Sequence, residues 1–178
     1  MKHLWFTFIA GLLTFLSPMS YAQDDLQEGD LAPVFNLPNQ NGTTISLSDF
    51  KGQWVVLYFY PKNDTPGCTT EACSFRDNIN RLIAQKAKVI GVSLDDQASH
   101  QAFKRKYELP FDLLADTQGS VTGSYNALMD LKFIKFAKRQ SFIINPEGRL
   151  AKIYRSVDPS HHVRDVIEDL KALQASHS

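Results

Sequence analysis

The feature that most constrains the fold of this chain is an unbroken apolar run over residues 54–60. Because the run is rich in aromatic and β-branched residues, it predicts a strand buried on both faces, as in the centre of a sheet covered by helices. Further along, Phe75, Ile79 and Leu82 recur at helical spacing, which predicts an amphipathic helix. The chain should therefore pass from a central strand to a helix through a short connecting segment.

Both cysteines of the chain, Cys68 and Cys73, lie at this junction. A Thr-Pro-Gly sequence precedes Cys68, and proline and glycine open the chain at such a corner, so Cys68 should face a pocket. At a helix N-terminus, free backbone N–H groups and the positive end of the helix dipole stabilise a thiolate. Thr65 either caps the turn or hydrogen-bonds Cys68 Sγ, and its spacing leaves both roles open. The segment predicts a reactive thiolate.

Three other interpretations of the cysteines agree less well with this segment. A buried structural cysteine does not need a Pro-Gly corner. A structural disulfide is excluded if both residues are helical, because a five-residue step takes the two Cα atoms beyond the ~7 Å limit for a bridge. A metal or iron–sulfur site lacks ligands, since the two cysteines have no histidine nearby. We therefore predict a reduced pair that can join only when the helix unwinds locally.

The pattern P-x-x-x-T-x-x-C, formed by Pro61, Thr65 and Cys68, resembles the active-site signature of the peroxiredoxins. Three longer segments are similar to the peroxiredoxin Q branch, also called bacterioferritin comigratory protein: 60–73, 103–116 and 139–148. The resemblance runs from about Gly29 to the last predicted helix. It implies a thiol-dependent peroxidase that reduces hydrogen peroxide and organic hydroperoxides without a cofactor or metal.

The resemblance also implies the roles of the two cysteines. Cys68 would be the peroxidatic cysteine, which the peroxide oxidises to a sulfenic acid. Cys73 would be the resolving cysteine, which condenses with that acid to form an intramolecular Cys68–Cys73 disulfide. An external thioredoxin-like dithiol would then reduce the disulfide by thiol exchange.

Four further residues take roles by the same resemblance. Thr65 and Arg139 would activate the thiolate and polarise the peroxide oxygen. Pro61 would shield the thiolate from water, and Pro61 and Gly67 would line the substrate site. Without the resemblance, Arg139 would be interpreted as a solvated charge, because it lies in a basic stretch.

The remaining pattern predicts an α/β, thioredoxin-like fold with a central mixed sheet flanked by helices and an N-terminal β-hairpin extension. The predicted elements are a hairpin over 33–38 and 43–47, a helical turn at 48–52, strands at 88–94 and 111–114, helices at 97–108 and 119–127, a hairpin over 141–145 and 150–155, and a last helix from 158–160 onward. Asp95 and Asp96 are predicted helix caps. His161 and His162 are predicted surface residues, because no third metal ligand lies nearby.

The first residues of the chain are typical of a signal peptide. Lys2 precedes an apolar run at 4–16, and small residues around Ala22 form a cleavage site. The run is shorter than the ~20 residues that span a bilayer, so we expect no stable membrane insertion after cleavage. The predicted organisation is a signal peptide at 1–22 and a single peroxiredoxin domain at 23–178, in the periplasm or another exported compartment.

Charge and compartment restrict the partners. The chain has 19 basic and 19 acidic residues, and this balance gives no reason to expect nucleic acid as a partner. Because disulfides persist in exported compartments, a cycling cysteine pair implies an exported thioredoxin-like reductant beside the hydroperoxide substrate. We expect a monomer.

Two other functions remain open from the sequence. An envelope thioredoxin-like thiol–disulfide oxidoreductase would share the fold and the compartment, but its C-x-x-C motif is absent. A non-catalytic interaction module on the same fold is the other alternative. A complete set of Pro61, Thr65, Cys68 and Arg139 argues against an inactive site.

Overall fold

The computed structural model describes residues 25–177, so the predicted signal peptide lies outside the described residues. The strands are β1 (Asn36–Pro38), β2 (Thr44–Ser46), β3 (Trp54–Phe59), β4 (Ala87–Ser93), β5 (Asp112–Ala115), β6 (Leu128–Asp130), β7 (Lys135–Ala137), β8 (Gln140–Ile144) and β9 (Leu150–Tyr154). The helices are α1 (Pro66–Asp77), α2 (Ile79–Ala84), α3 (Gln97–Lys106), α4 (Ser120–Ser124) and α5 (His162–His177), and a 3-10 helix spans Leu47–Phe50.

Five strands form a central mixed sheet in the order β5-β4-β3-β8-β9. Strand β3 pairs in parallel with β4 and antiparallel with β8, while β4–β5 is parallel and β8–β9 antiparallel. The predicted central strand is therefore confirmed. The two smaller sheets are the hairpins β1–β2 and β6–β7.

Alternate residues of β3 supply two cores, one on each face of the sheet. Val56 and Tyr58 belong to the cluster that includes residues of α1, α3 and α5. Leu57 and Phe59 belong to the cluster on the other face, together with Tyr125. All six residues of the strand are buried, and burial of a side chain such as Leu57 contributes about 2 kcal/mol to folding. This double burial is why the strand is apolar throughout.

Several predicted local signals are confirmed. Gly42 adopts a left-handed φ of 79° in the turn between β1 and β2, which glycine permits without strain. The β8–β9 hairpin also forms. At the start of α3, Asp96 Oδ1 accepts a hydrogen bond from the Ser99 N–H at 2.8 Å, so it is a helix cap.

The prediction that Asp95 is also a helix cap is wrong, because its carboxylate accepts the N–H of Asn63 instead.

Two elements differ from the sequence prediction. The helix that follows Cys68 is interrupted at Asn78, whose N–H bonds the Ser74 carbonyl, and continues as the separate helix α2. The β6–β7 hairpin was not predicted, and the apolar residues near its tip are exposed: Leu131, Phe133 and Ile134. In a sequence, a run of apolar residues indicates a buried segment, so this run does not predict an exposed turn.

The prediction that His162 is a surface residue is wrong. His162 is buried at the start of α5, with Nε2 2.9 Å from Ser141 Oγ and the ring edge-on to Phe75 and Tyr154. Burial lowers the pKa of His162 to about 4. His161, which directly precedes α5, is exposed as predicted. Among the described residues, no helix is long and apolar enough to cross a bilayer.

Candidate active site

Cys68 is the third residue of α1, directly after the end of the central strand and its short loop. Thr65 is the N-cap, Pro66 begins the helix, and the Cys68 side chain is 1% exposed. Cys73 lies on the same helix, is partly buried, and both cysteines are free. The first turn of a helix favours an anionic sulfur, since its N–H groups have no partners within the helix.

Arg139 supplies the cation of the site. It precedes β8, which pairs with β3, and this pairing brings the guanidinium to the start of α1. Nη2 of Arg139 donates to Cys68 Sγ at 3.2 Å, and Nη1 donates to Glu71 Oε2. A Cβ atom at Gly67 would lie 3.1 Å from Nη2, so glycine at this position leaves room for the guanidinium. Arg139 is therefore placed to stabilise a thiolate.

Glu71 is the site residue that the sequence analysis missed. Its side chain is fully buried, and among the described residues Oε1 has no hydrogen-bond partner, although His162 Nε2 lies 3.9 Å away. Burial raises the pKa of Glu71 to about 7, against the opposing effect of the Arg139 charge. Its spacing of three residues from Cys68, which places both on one face of a helix, is the signal that could have revealed it.

We expect the Glu71→Gln variant to change the pH dependence of stability. The folded protein keeps a proton on Glu71 up to about pH 7, because burial raises its pKa, whereas the unfolded chain loses that proton near its ordinary value of 4.5. The stabilisation is fully present below that value and is lost as the pH rises to about 7, by about 3 kcal/mol. Chemical denaturation across this range should show wild type losing stability relative to the variant. If the difference in stability between wild type and Glu71→Gln did not change with pH, the raised pKa of Glu71 would be contradicted.

Thr65 and Pro61 lie on the loop between β3 and α1. Thr65 Oγ1 donates to the Lys62 carbonyl at 2.9 Å, so of its two open roles the structure displays the turn contact. Pro61 and Lys62 line a cavity of about 480 Å³ together with Ile134, and Cys68 is not among its lining residues. Within residues 25–177, no group of three His, Cys, Asp or Glu side chains could hold a metal ion.

Comparisons with known proteins agree with this geometry. Residues 29–153 match the AhpC/TSA family. The putative peroxiredoxin bcp of Coxiella burnetii is 42% identical over 146 residues, which cover 80% of this chain and 97% of that protein. The chloroplastic peroxiredoxin Q of Suaeda salsa is 40% identical over 162 residues, which cover 89% of this chain and 75% of that protein.

A solved structure leads to the same assignment. It belongs to the bacterioferritin comigratory protein of Xanthomonas campestris, from a study of its alkyl peroxide reduction activity. It is 31% identical, with a TM-score of 0.73 over 78% of this chain and 90% of that one. These likenesses favour the peroxidase over both alternative functions and confirm the thioredoxin-like fold. The chain therefore belongs to the AhpC/TSA family and, within it, to the peroxiredoxin Q/Bcp branch of thiol-dependent peroxidases.

Proposed function

We propose that this thiol-dependent peroxidase reduces hydrogen peroxide and organic hydroperoxides with Cys68 as the peroxidatic cysteine. The observation that carries the proposal is the 3.2 Å contact from Arg139 Nη2 to Cys68 Sγ at the first turn of α1. A guanidinium and a helix N-terminus both act on one sulfur, and both favour its anion. The activity of the Xanthomonas campestris relative supports organic hydroperoxides as substrates.

The first step oxidises the sulfur. The Cys68 thiolate attacks the terminal oxygen of the hydroperoxide, so that an S–O bond forms as the O–O bond breaks. The electron pair of the O–O bond leaves as an alkoxide or hydroxide, which takes a proton from water. Arg139 and the N–H groups of the first turn stabilise the negative charge as it moves onto the leaving oxygen. Thr65 can donate its hydroxyl proton to the same oxygen once it releases the Lys62 carbonyl.

The second step resolves the sulfenic acid. Cys73 Sγ attacks the Cys68 sulfur, the S–S bond forms, and the sulfenic hydroxyl departs as water with the proton of Cys73. Both cysteines lie in α1, five residues apart, which exceeds the reach of a disulfide on an intact helix. The first turns of α1 therefore unwind during resolution.

Hydrogen exchange tests this unwinding. Backbone amides of residues 69–76 should exchange slowly in the reduced protein and lose their protection when one equivalent of peroxide forms the disulfide. The central strand β3 serves as the internal control and should keep its protection, because all its residues are buried. Unchanged protection of 69–76 in a protein shown by mass to contain the disulfide would contradict the step.

The cellular setting completes the proposal. Peroxiredoxins act on peroxides with thioredoxin-like reductants, and here we place both the enzyme and an exported dithiol donor in the periplasm. The support is the signal-peptide pattern at 1–22, and the enzyme would act there as a monomer. The intact mass of the exported protein should correspond to a chain that begins at Gln23, and retention of residues 1–22 would contradict cleavage.

A further inference from the structure

A buried asparagine, Asn63, anchors the loop that carries Pro61 and Thr65 to α3 and to the segment before it. Asn63 is 7% exposed although its neighbours in the loop are polar. Its N–H donates to Asp95 Oδ2 at 2.8 Å, and its Oδ1 accepts the Tyr60 hydroxyl at 2.8 Å. Its Nδ2 contacts two residues of α3: Ser99 Oγ at 2.9 Å and His100 Nδ1 at 3.1 Å. Every polar atom of this side chain therefore has a partner.

His100 is the fully buried partner in this network. Its Nε2 lies 3.1 Å from the Leu114 carbonyl oxygen, which can only accept, so Nε2 carries the ring proton. Nδ1 is then the acceptor for the amide of Asn63. Burial lowers the pKa of His100, which favours this neutral ring. The network thus ties the loop to α3 and, through Leu114, to β5.

A second contact between the same loop and α3 is an ion pair that is exposed to solvent. Lys106 Nζ bonds Asp64 Oδ1 at 2.7 Å, and both side chains are about half exposed. Asp64 holds a left-handed φ of 58°, a conformation disfavoured for a residue other than glycine. An exposed ion pair contributes little to stability, because water and salt screen it. The buried hydrogen bonds of Asn63 therefore hold the loop more strongly than the ion pair between Lys106 and Asp64 does.

We propose that Asn63 and His100 are positioning residues for peroxide cleavage, which hold the loop that carries Pro61 and Thr65 in place at the start of α1, where Cys68 lies. This inference rests on the proposed function, because it requires Cys68 to attack the peroxide. Neither residue has a hydrogen bond to Cys68 or Arg139, so their effect is on the substrate side and not on the thiolate itself. Displacement of a positioned group by about 1 Å can cost about 100-fold in rate.

The test compares two reactions of the same sulfur in a Cys73→Ser background. Peroxide oxidation of Cys68 is followed by quenched flow with a sulfenic-acid trap, and alkylation is followed with iodoacetamide, which needs the thiolate but no peroxide site. The variants are Asn63→Ala and His100→Leu. His100→Gln is the rescue variant, because its amide offers an N–H donor group and a carbonyl acceptor, as the neutral imidazole does. Lys106→Ala is the matched control, since it removes the exposed ion pair with Asp64 and leaves every hydrogen bond of Asn63 in place.

We expect Asn63→Ala and His100→Leu to slow peroxide oxidation by about 10- to 100-fold, with alkylation within about threefold of the parent. His100→Gln should recover most of the rate, and Lys106→Ala should leave it unchanged. A loss of fold would instead accelerate alkylation, because Cys68 is 1% exposed in the native protein. Asn63→Ala changes a loop residue and not a residue of a helix or strand, so it keeps the test decisive if His100→Leu does not fold.

Two outcomes overturn the inference at different levels. In the first, the parent forms the sulfenic acid, and the variants either form it equally fast or lose oxidation and alkylation rates together. The positioning role is then wrong, and the peroxidatic role of Cys68 stands. If the parent itself is alkylated at Cys68 but never oxidised there by peroxide, the proposed function fails and the positioning role fails with it.

Discussion

Replacement of Cys68 by serine should abolish peroxide reduction, whereas replacement of Cys73 by serine should abolish only turnover. A serine hydroxyl is not ionised near neutral pH, so it cannot take the place of the thiolate held by Arg139. We expect a loss of about 10³-fold or more in the Cys68→Ser variant. The Cys73→Ser protein should consume one equivalent of peroxide at a rate close to wild type and then stop, because its sulfenic acid has no partner thiol.

The measurement is peroxide consumption with and without a dithiol reductant. Wild type should turn over repeatedly with the reductant and consume one equivalent without it. Equal turnover by Cys73→Ser with a dithiol would show that the reductant attacks the sulfenic acid directly and would remove Cys73 from the mechanism. Slow oxidation in every variant, including Cys68→Ser, would favour an oxidoreductase over a peroxidase.

Replacement of Arg139 by methionine should slow the first oxidation by about 10²- to 10³-fold, because it removes a preorganised donor from the charge that develops on oxygen. Lysine should rescue little. A single ammonium cannot reproduce the two contacts by which Arg139 bridges Cys68 and Glu71. Stopped-flow oxidation of Cys68 by peroxide measures both variants.

Arg105→Met is the matched control for Arg139, since it makes the same substitution on α3, where the guanidinium makes an exposed 3.4 Å contact with Gln101 and none with Cys68. Its rate should equal that of wild type. The Arg139→Met variant also leaves Glu71 without its cation, so a stability measurement must accompany the kinetics. A normal oxidation rate in folded Arg139→Met would refute a catalytic role for this residue.

The position of Cys68 was predictable because it depends on residues that are neighbours in the sequence. A buried strand, a Pro-Gly corner and a helical period place Cys68 at a helix N-terminus without any tertiary information. The same reasoning located the hairpin at Gly42, where the turn needs a left-handed residue. The role of Arg139 came only from the family resemblance, because its approach to Cys68 depends on the pairing of β8 with β3.

The remainder of the site depends on packing that no local pattern contains. Glu71 is an acidic residue on a helix, which normally indicates a solvated face, yet it is buried and paired with Arg139, which lies just before β8. His162 is buried because the first turn of α5 packs against the sheet near Ser141. Asn63 has the composition of a loop residue, and only the position of α3 explains its burial. Each is a polar side chain whose partner is distant in sequence.

Mass spectrometry of the Cys73→Ser protein tests the central claim most directly. The reduced protein receives one equivalent of hydrogen peroxide in the presence of a sulfenic-acid trap, and its peptides are sequenced. We expect one adduct, on Cys68, with a yield equal to the peroxide consumed. Peroxide consumption without an adduct on Cys68, or an intact Cys68 thiol after all peroxide is gone, would show that this sulfur does not cleave the O–O bond.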